Sequence, residues 1–108
     1  MPRRAGGSPG DFFRPSGTHN GTDVPSAAVL TAARRAGYST VLGYDIDPMD
    51  YQDPGSGKVV TRVTAGLHPG AIVSLHFGHR GTIEALPHII DAIHQAGYAT
   101  VTAGALLA

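Results

Sequence analysis

With 108 residues, and eight Lys and Arg against eight Asp and Glu, the chain is one domain or part of one. Its balanced charge gives no electrostatic case for a nucleic-acid partner or an anionic membrane surface. The absence of cysteine excludes disulfides and thiolate metal sites, and the apolar runs are far too short to span a bilayer as helices.

The first segment, Met1–Gly10, carries Arg3 and Arg4 with no apolar stretch behind them, so it reads as a flexible leader without an export signal. The domain is expected over residues 11–108. Phe12 and Phe13 predict a short strand that ends at Arg14. Pro15 fixes its own φ and biases Arg14 toward an extended conformation, which presents the guanidinium from a stiff backbone.

Asp23–Ala36 predicts the first helix, with Asp23 as N-cap, Pro25 in the first turn, and Val29, Leu30 and Ala33 on one face. A second strand is expected over Ser39–Tyr44. It runs into Asp45-Ile46-Asp47-Pro48-Met49-Asp50-Tyr51, where three carboxylates fall within six positions. Such a cluster repels itself unless a cation or a proton donor sits among it. The plainer alternative is a solvated turn with Asp caps.

Val59, Val60, Val63 and Leu67 give Lys58–Gly66 the spacing of a short amphipathic helix. Pro69 and Gly70 then make a turn into Ala71–Leu75, which reads as a strand buried on both faces and stops at His76. Thr82–Ala96 predicts a helix with Thr82 as N-cap, Glu84 in the first turn, and Leu86, Ile89, Ile90 and Ile93 toward the core. Pro87 is expected to move its start later than Thr82. Tyr98–Thr102 predicts a last strand, and Gly104–Ala108 a helical turn.

An internal repeat supports this parse: Ala36-Gly37-Tyr38-Ser39-Thr40-Val41 recurs as Ala96-Gly97-Tyr98-Ala99-Thr100-Val101. In each copy Gly supplies a left-handed C-cap and Thr-Val opens a strand. Helices alternating with strands imply an α/β fold of about four parallel strands with flanking helices, their carboxyl ends on one side. That rim would gather Arg14, the Asp45–Tyr51 segment, and His76 with His79.

A histidine acting as acid or base needs a partner that fixes its tautomer, and Asp50 or Asp47 can supply it to His76. An arginine on the same rim would orient a carboxylate or hold an anionic intermediate. With no Cys and no Gly-x-Ser-x-Gly elbow, the attacking group would be water, and water activation usually asks for a metal. His76 and His79 have a spacing that permits metal binding, although a general acid beside a loop histidine is the preferred reading.

Three motifs together resemble the C-terminal half of the polysaccharide deacetylases, carbohydrate esterase family 4 or the NodB-homology domain. Phe13-Arg14-Pro15-Ser16-Gly17 is similar to the family's Arg-Pro-Pro-Tyr-Gly motif, Tyr44–Tyr51 to its next motif, and Gly70–His76 to its last. The resemblance implies part of a (β/α) barrel that removes acetyl groups from an acetylated polysaccharide or oligosaccharide. It makes His76 the general acid, Asp50 the residue that tunes it and Arg14 the residue that orients the base. Pro15, Ser16, Tyr51, Ser74 and Leu75 would line the substrate groove. A divalent metal, zinc first, is implied for the complete domain. The family's Thr-Phe-Asp-Asp-Gly strand end and His-x-x-x-His pair are absent from these residues, so no ligands for the ion are identified and the chain alone is expected to be inactive. The missing N-terminal half, or a second chain, would then be a partner. The competing expectation is a non-catalytic glycan-binding or assembly module on the same fold.

Overall fold

The computed structural model describes residues 10–15 and 26–108. Met1–Gly43 and Tyr44–Ala108 form two compact units. The leader lies outside the described residues apart from Gly10, as do Asp23, Pro25 and Ser16.

In the first unit β1 (Phe12–Phe13) pairs in parallel with β2 (Thr40–Val41), in the register Phe12 to Thr40 and Phe13 to Val41. One further bond continues the ladder, as the Leu42 N–H donates to the Phe13 carbonyl at 2.7 Å. Between them in the chain lies α1 (Ala27–Arg35), with Ser26 as its N-cap. Ser26 Oγ accepts from the Val29 N–H at 3.2 Å and so satisfies one of the open donors of the first turn. Ala33 is the buried residue of α1, while Leu30 stays more than a third exposed. The Phe13 and Tyr38 rings meet at 5.9 Å and help to line an apolar hollow of about 300 Å³ with Val29 and Ala33.

The second unit is built on two helices, α2 (Ser56–Gly66) and α3 (Arg80–Gln95). Val59 and Val63, both about 1% exposed, pack with Ala85, Ile89 and Ile46 as one core, and Val73, Leu75 and Ile93 cover its margin. Gly66 lets α2 approach closely, because a Cβ there would come 3.1 Å from Ile46 Cγ1.

Several expected elements are shorter or differ in kind. Ala71–Leu75 runs alongside Ile46 through a single parallel bridge, Ile46 to Val73, and is half-buried rather than sealed on both faces. The ladder cannot lengthen on that side because the Asp45 carboxylate captures the Ile72 N–H at 2.8 Å. Tyr98–Thr102 forms no strand; Thr102 instead caps α4 (Ala103–Leu106), accepting from the Ala105 N–H at 3.1 Å. Among the described residues there are thus two named strands rather than four, with the parallel sense as expected.

The start of α3 is earlier than expected, at Arg80 with His79 as N-cap, and Pro87 sits inside it. Pro87 and Ile83, one turn apart, both lie on the exposed face of α3. There the carbonyl that loses its backbone donor faces water, which makes an internal proline tolerable.

The repeated sequence makes the same helix end twice. Gly37 at φ 101° and Gly97 at φ 88° each occupy the left-handed region. Gly37 N–H donates to Arg34 O and Tyr38 N–H to Ala33 O, and Gly97 and Tyr98 repeat the pair with His94 O and Ile93 O. These paired bonds close the helix with a Schellman motif.

Candidate functional site

The site lies where two connections of the second unit meet: the corner Asp47–Asp53 and the turn from Leu75 into α3. Pro48 is fully buried, and its carbonyl accepts from Arg62 Nη1 of α2 at 2.9 Å, which ties the corner to the helix behind it. A 3₁₀ turn over Asp50–Gln52 follows, bracketed by Met49 and Asp53, both at φ 54°. Two non-glycine residues in the left-handed region within five positions store backbone strain that the surroundings must hold.

What holds it is Asp50. Its side chain, with the residue only 1% exposed, accepts three hydrogen bonds. Asp50 Oδ1 lies 2.7 Å from His76 Nδ1, while Oδ2 accepts from the His76 backbone N–H at 2.8 Å and from Thr82 Oγ1 at 2.6 Å. Burial alone would push the Asp50 carboxyl up, but the bonds from Thr82 and from the side chain and backbone of His76, helped by the imidazole charge, together hold it below the usual carboxylate range. Thr82 stands in the first turn of α3, where a helix N-terminus favours an anion.

A carboxylate that is ionised can only accept. The proton in the Asp50–His76 bond therefore resides on Nδ1, and Nε2 is left as the nitrogen that exchanges protons. The imidazole side chain is about a third exposed, so that nitrogen is within reach of a ligand. Tyr51 packs its ring edge-on to the imidazole at 4.9 Å between centroids and is itself 41% exposed. Ser74 is buried, its N–H given to Ile46 O at 2.9 Å, and Leu75 packs half-buried against the core.

Of the expected site residues, the second unit brings Asp50, Tyr51 and His76 together. Arg14 and Pro15 stand in the first unit, directly after β1, with Arg14 Nη1 3.3 Å from Pro15 O. Two relationships escaped the sequence reading. Thr82, expected as an N-cap, is instead a donor to Asp50. His79 is bound by Asp53, Nδ1 to Oδ1 at 2.8 Å, which repeats the Asp50–His76 pairing three residues further along both segments. The signal for both pairs was the equal step in Asp50-x-x-Asp53 and His76-x-x-His79.

Asp47, Asp50 and His76 offer donor atoms within 4.8 Å of one another, the one such group of three among the described residues. They do not fit a metal as arranged. Asp50 has engaged both oxygens in bonds to His76 and Thr82, and Asp47 Oδ1 accepts from the Met49 N–H at 2.9 Å. An ion there would compete with the bonds that hold Asp50, which already take three of its roughly four acceptor sites.

The site is a buried carboxylate hydrogen-bonded to a part-exposed imidazole, held between two chain connections of the second unit. No protein-family model matches the chain. It is 36% identical over 100 residues to the peptidoglycan-N-acetylglucosamine deacetylase of Bacillus cereus, covering 89% of this chain and 45% of that protein. With a chitooligosaccharide deacetylase of a Bradyrhizobium species the identity is 32% over 84 residues, covering 65% and 38%. A solved CE4 family pseudoenzyme from Bacillus anthracis superposes with a TM-score of 0.73 at 27% identity, over 90% of this chain and 32% of that one. The chain is a homologue of the polysaccharide deacetylases of carbohydrate esterase family 4, and it spans less than half the length of these relatives. Among its described residues no helix is long and apolar enough to cross a membrane.

Proposed function

We propose that this chain supplies the general-acid half of a hydrolase site that removes N-acetyl, or O-acetyl, groups from a glycan. The observation that supports the reading most is the Asp50–His76 pair, whose geometry leaves Nε2 as the proton-exchanging atom. In the reaction an activated water attacks the acetamide carbonyl, and the amine leaves only if it gains a proton. His76, protonated at Nε2 and steadied by Asp50 at Nδ1, donates that proton. Tyr51, edge-on to the imidazole, borders the sugar and its acyl group. Arg14 orients the base.

The base and the ligands for a divalent ion, zinc first, belong to the part of the domain that this chain does not span. Such an ion, when bound, lowers the pKa of water and polarises the carbonyl. The test is acetate release from an N-acetylated chito-oligosaccharide by the complete polypeptide that carries these residues. His76→Ala should lower kcat by about 10²–10⁴, the usual worth of a general acid, with KM little changed. Unchanged turnover would sink the assignment.

The similarity to a CE4 family pseudoenzyme favours a second reading, a non-catalytic module that binds glycan through the same rim. A complete polypeptide that binds the oligosaccharide but neither carries zinc nor releases acetate would establish it.

A further inference from the structure

Next to His76 stands the most exposed large apolar side chain of the described residues, Phe77, at 102% of its reference area. Its setting is not a slack loop. On one side His76 is fixed to Asp50 by two hydrogen bonds, and on the other His79 is fixed to Asp53 by a third. Gly78, at φ 82°, makes the turn between them, and α3 begins at Arg80. The ring is thus carried on a backbone pinned at both ends to the same strained corner, so a ligand that stacks on it has to order the side-chain torsions but not the chain that carries them.

The neighbours narrow the kind of ligand. Tyr51, from that corner, is 41% exposed and edge-on to the imidazole, so a second aromatic borders the same acid. Beyond Gly78 and His79 the surface is mixed: Arg80 and Glu84 pair at 3.5 Å with both side chains largely exposed, and Ile83 is also exposed. An exposed aromatic flanked by a histidine and a glycine, with a second aromatic on that same histidine, suits a molecule that is apolar on one face and hydroxylated around its rim. A pyranose ring has that form, since its axial C–H bonds carry positive charge toward the negative face of an aromatic ring while its hydroxyls point outward.

We infer that Phe77 is a sugar-stacking platform of this site, binding the pyranose ring beside the one whose acyl group reaches His76. The inference rests on the glycan-processing reading and adds to it a subsite and its specificity, for ring-shaped substrates with an apolar face.

Titration of the chain with N-acetylated chitotetraose, followed by NMR, tests both. The expected result is a shift of the Phe77 ring protons with saturation transfer to the axial sugar protons. Phe77→Ala should raise Kd at least tenfold and Phe77→Trp should keep or lower it. Phe77→Leu, apolar but without a π face, should behave as Phe77→Ala, and His79→Ala should weaken binding with Phe77 present. If Phe77→Ala leaves Kd unchanged while the sugar still perturbs Tyr51 and His76, the platform is overturned and the glycan reading survives. If Phe77→Leu binds as well as the parent, stacking is overturned. Concentration-dependent broadening of Phe77 without sugar would assign the ring to a protein contact and overturn it as well. Failure of the parent chain to bind would overturn the inference together with the glycan reading for this chain.

Discussion

Asp50 meets His76 twice, through Oδ1 to the ring Nδ1 at 2.7 Å and through Oδ2 to the backbone N–H at 2.8 Å. The double contact fixes both where the imidazole sits and which of its nitrogens holds the proton. Replacing Asp50 by Asn keeps the shape but offers the ring an amide that can donate as well as accept, so Nδ1 is no longer obliged to carry the hydrogen. Asp50→Asn should therefore remove the downfield Nδ1–H resonance of His76 in NMR spectra. In the complete polypeptide it should lower kcat for acetate release by about 10²–10⁴, with KM nearly constant. Retention of both the resonance and the rate would show that Asp50 does not set the tautomer.

Thr82 gives a separate handle on the same carboxylate. Its hydroxyl, buried at the start of α3, donates to Asp50 Oδ2 at 2.6 Å. Thr82→Val keeps the volume and removes the donor. A hydrogen bond to a charged group is worth about 1.5–3 kcal/mol, so urea unfolding should show a loss of that size. Thr82→Ser, which keeps the hydroxyl, should recover more than half of it.

The pH dependence of stability follows from the direction in which Asp50 is shifted. Its folded-state pKa is held below the usual carboxylate value by the bonds from Thr82 and His76, which outweigh the effect of burial. A depressed carboxyl contributes stability that is fully present above its unfolded value of about 3.9 and is lost as pH falls through the folded value. The chain should thus lose stability on acidification from about pH 5 downward, measured as the urea midpoint at each pH. Asp50→Asn should be less stable at pH 7 and should show a shallower decline across the acid range. An equally steep decline in the variant would place the acid sensitivity elsewhere.

How far the sequence could be read depended on how local the determining interactions are. The helix ends at Gly37 and Gly97 were legible because the Schellman bonds need only the helix and the two residues after it. So was α2, whose Val59 and Val63 carry the core pattern. The His76–Asp50 pairing was legible in part: both residue types sat at the ends of apolar segments, the spacing alone left Asp47 an equal contender, and the family resemblance singled out Asp50; the structure turns Asp47 back onto Met49. The strands were overread. Val, Thr and Ile in Ala71–Leu75 and Tyr98–Thr102 suit a strand, yet pairing requires a neighbour, and composition does not supply one. The left-handed conformations of Met49 and Asp53 were not legible, because neither residue is a glycine and the strain is sustained by the distant Asp50 and His79 contacts.

Ile89 and Ile90 are adjacent in the sequence of α3 and chemically identical, and the spacing of apolar residues puts both toward the core. The structure separates them: Ile89 is 3% exposed within the core formed by Ile46, Val59, Val63 and Ala85, and Ile90 is 37% exposed. Truncating Ile89 leaves a cavity between α2 and α3 that two close-packed helices cannot fill, so Ile89→Ala should cost about 2–5 kcal/mol. Ile90→Ala removes a side chain that is already in contact with water and replaces it with a stronger helix former, so its cost should stay within about 0.5 kcal/mol. Urea unfolding of the two variants side by side distinguishes the effect of burial from that of residue type. If Ile90→Ala proves as damaging as Ile89→Ala, the outer face of α3 is covered in solution by a second copy of the chain. The loss should then diminish as protein concentration falls, because an association contributes stability only where the partner is bound.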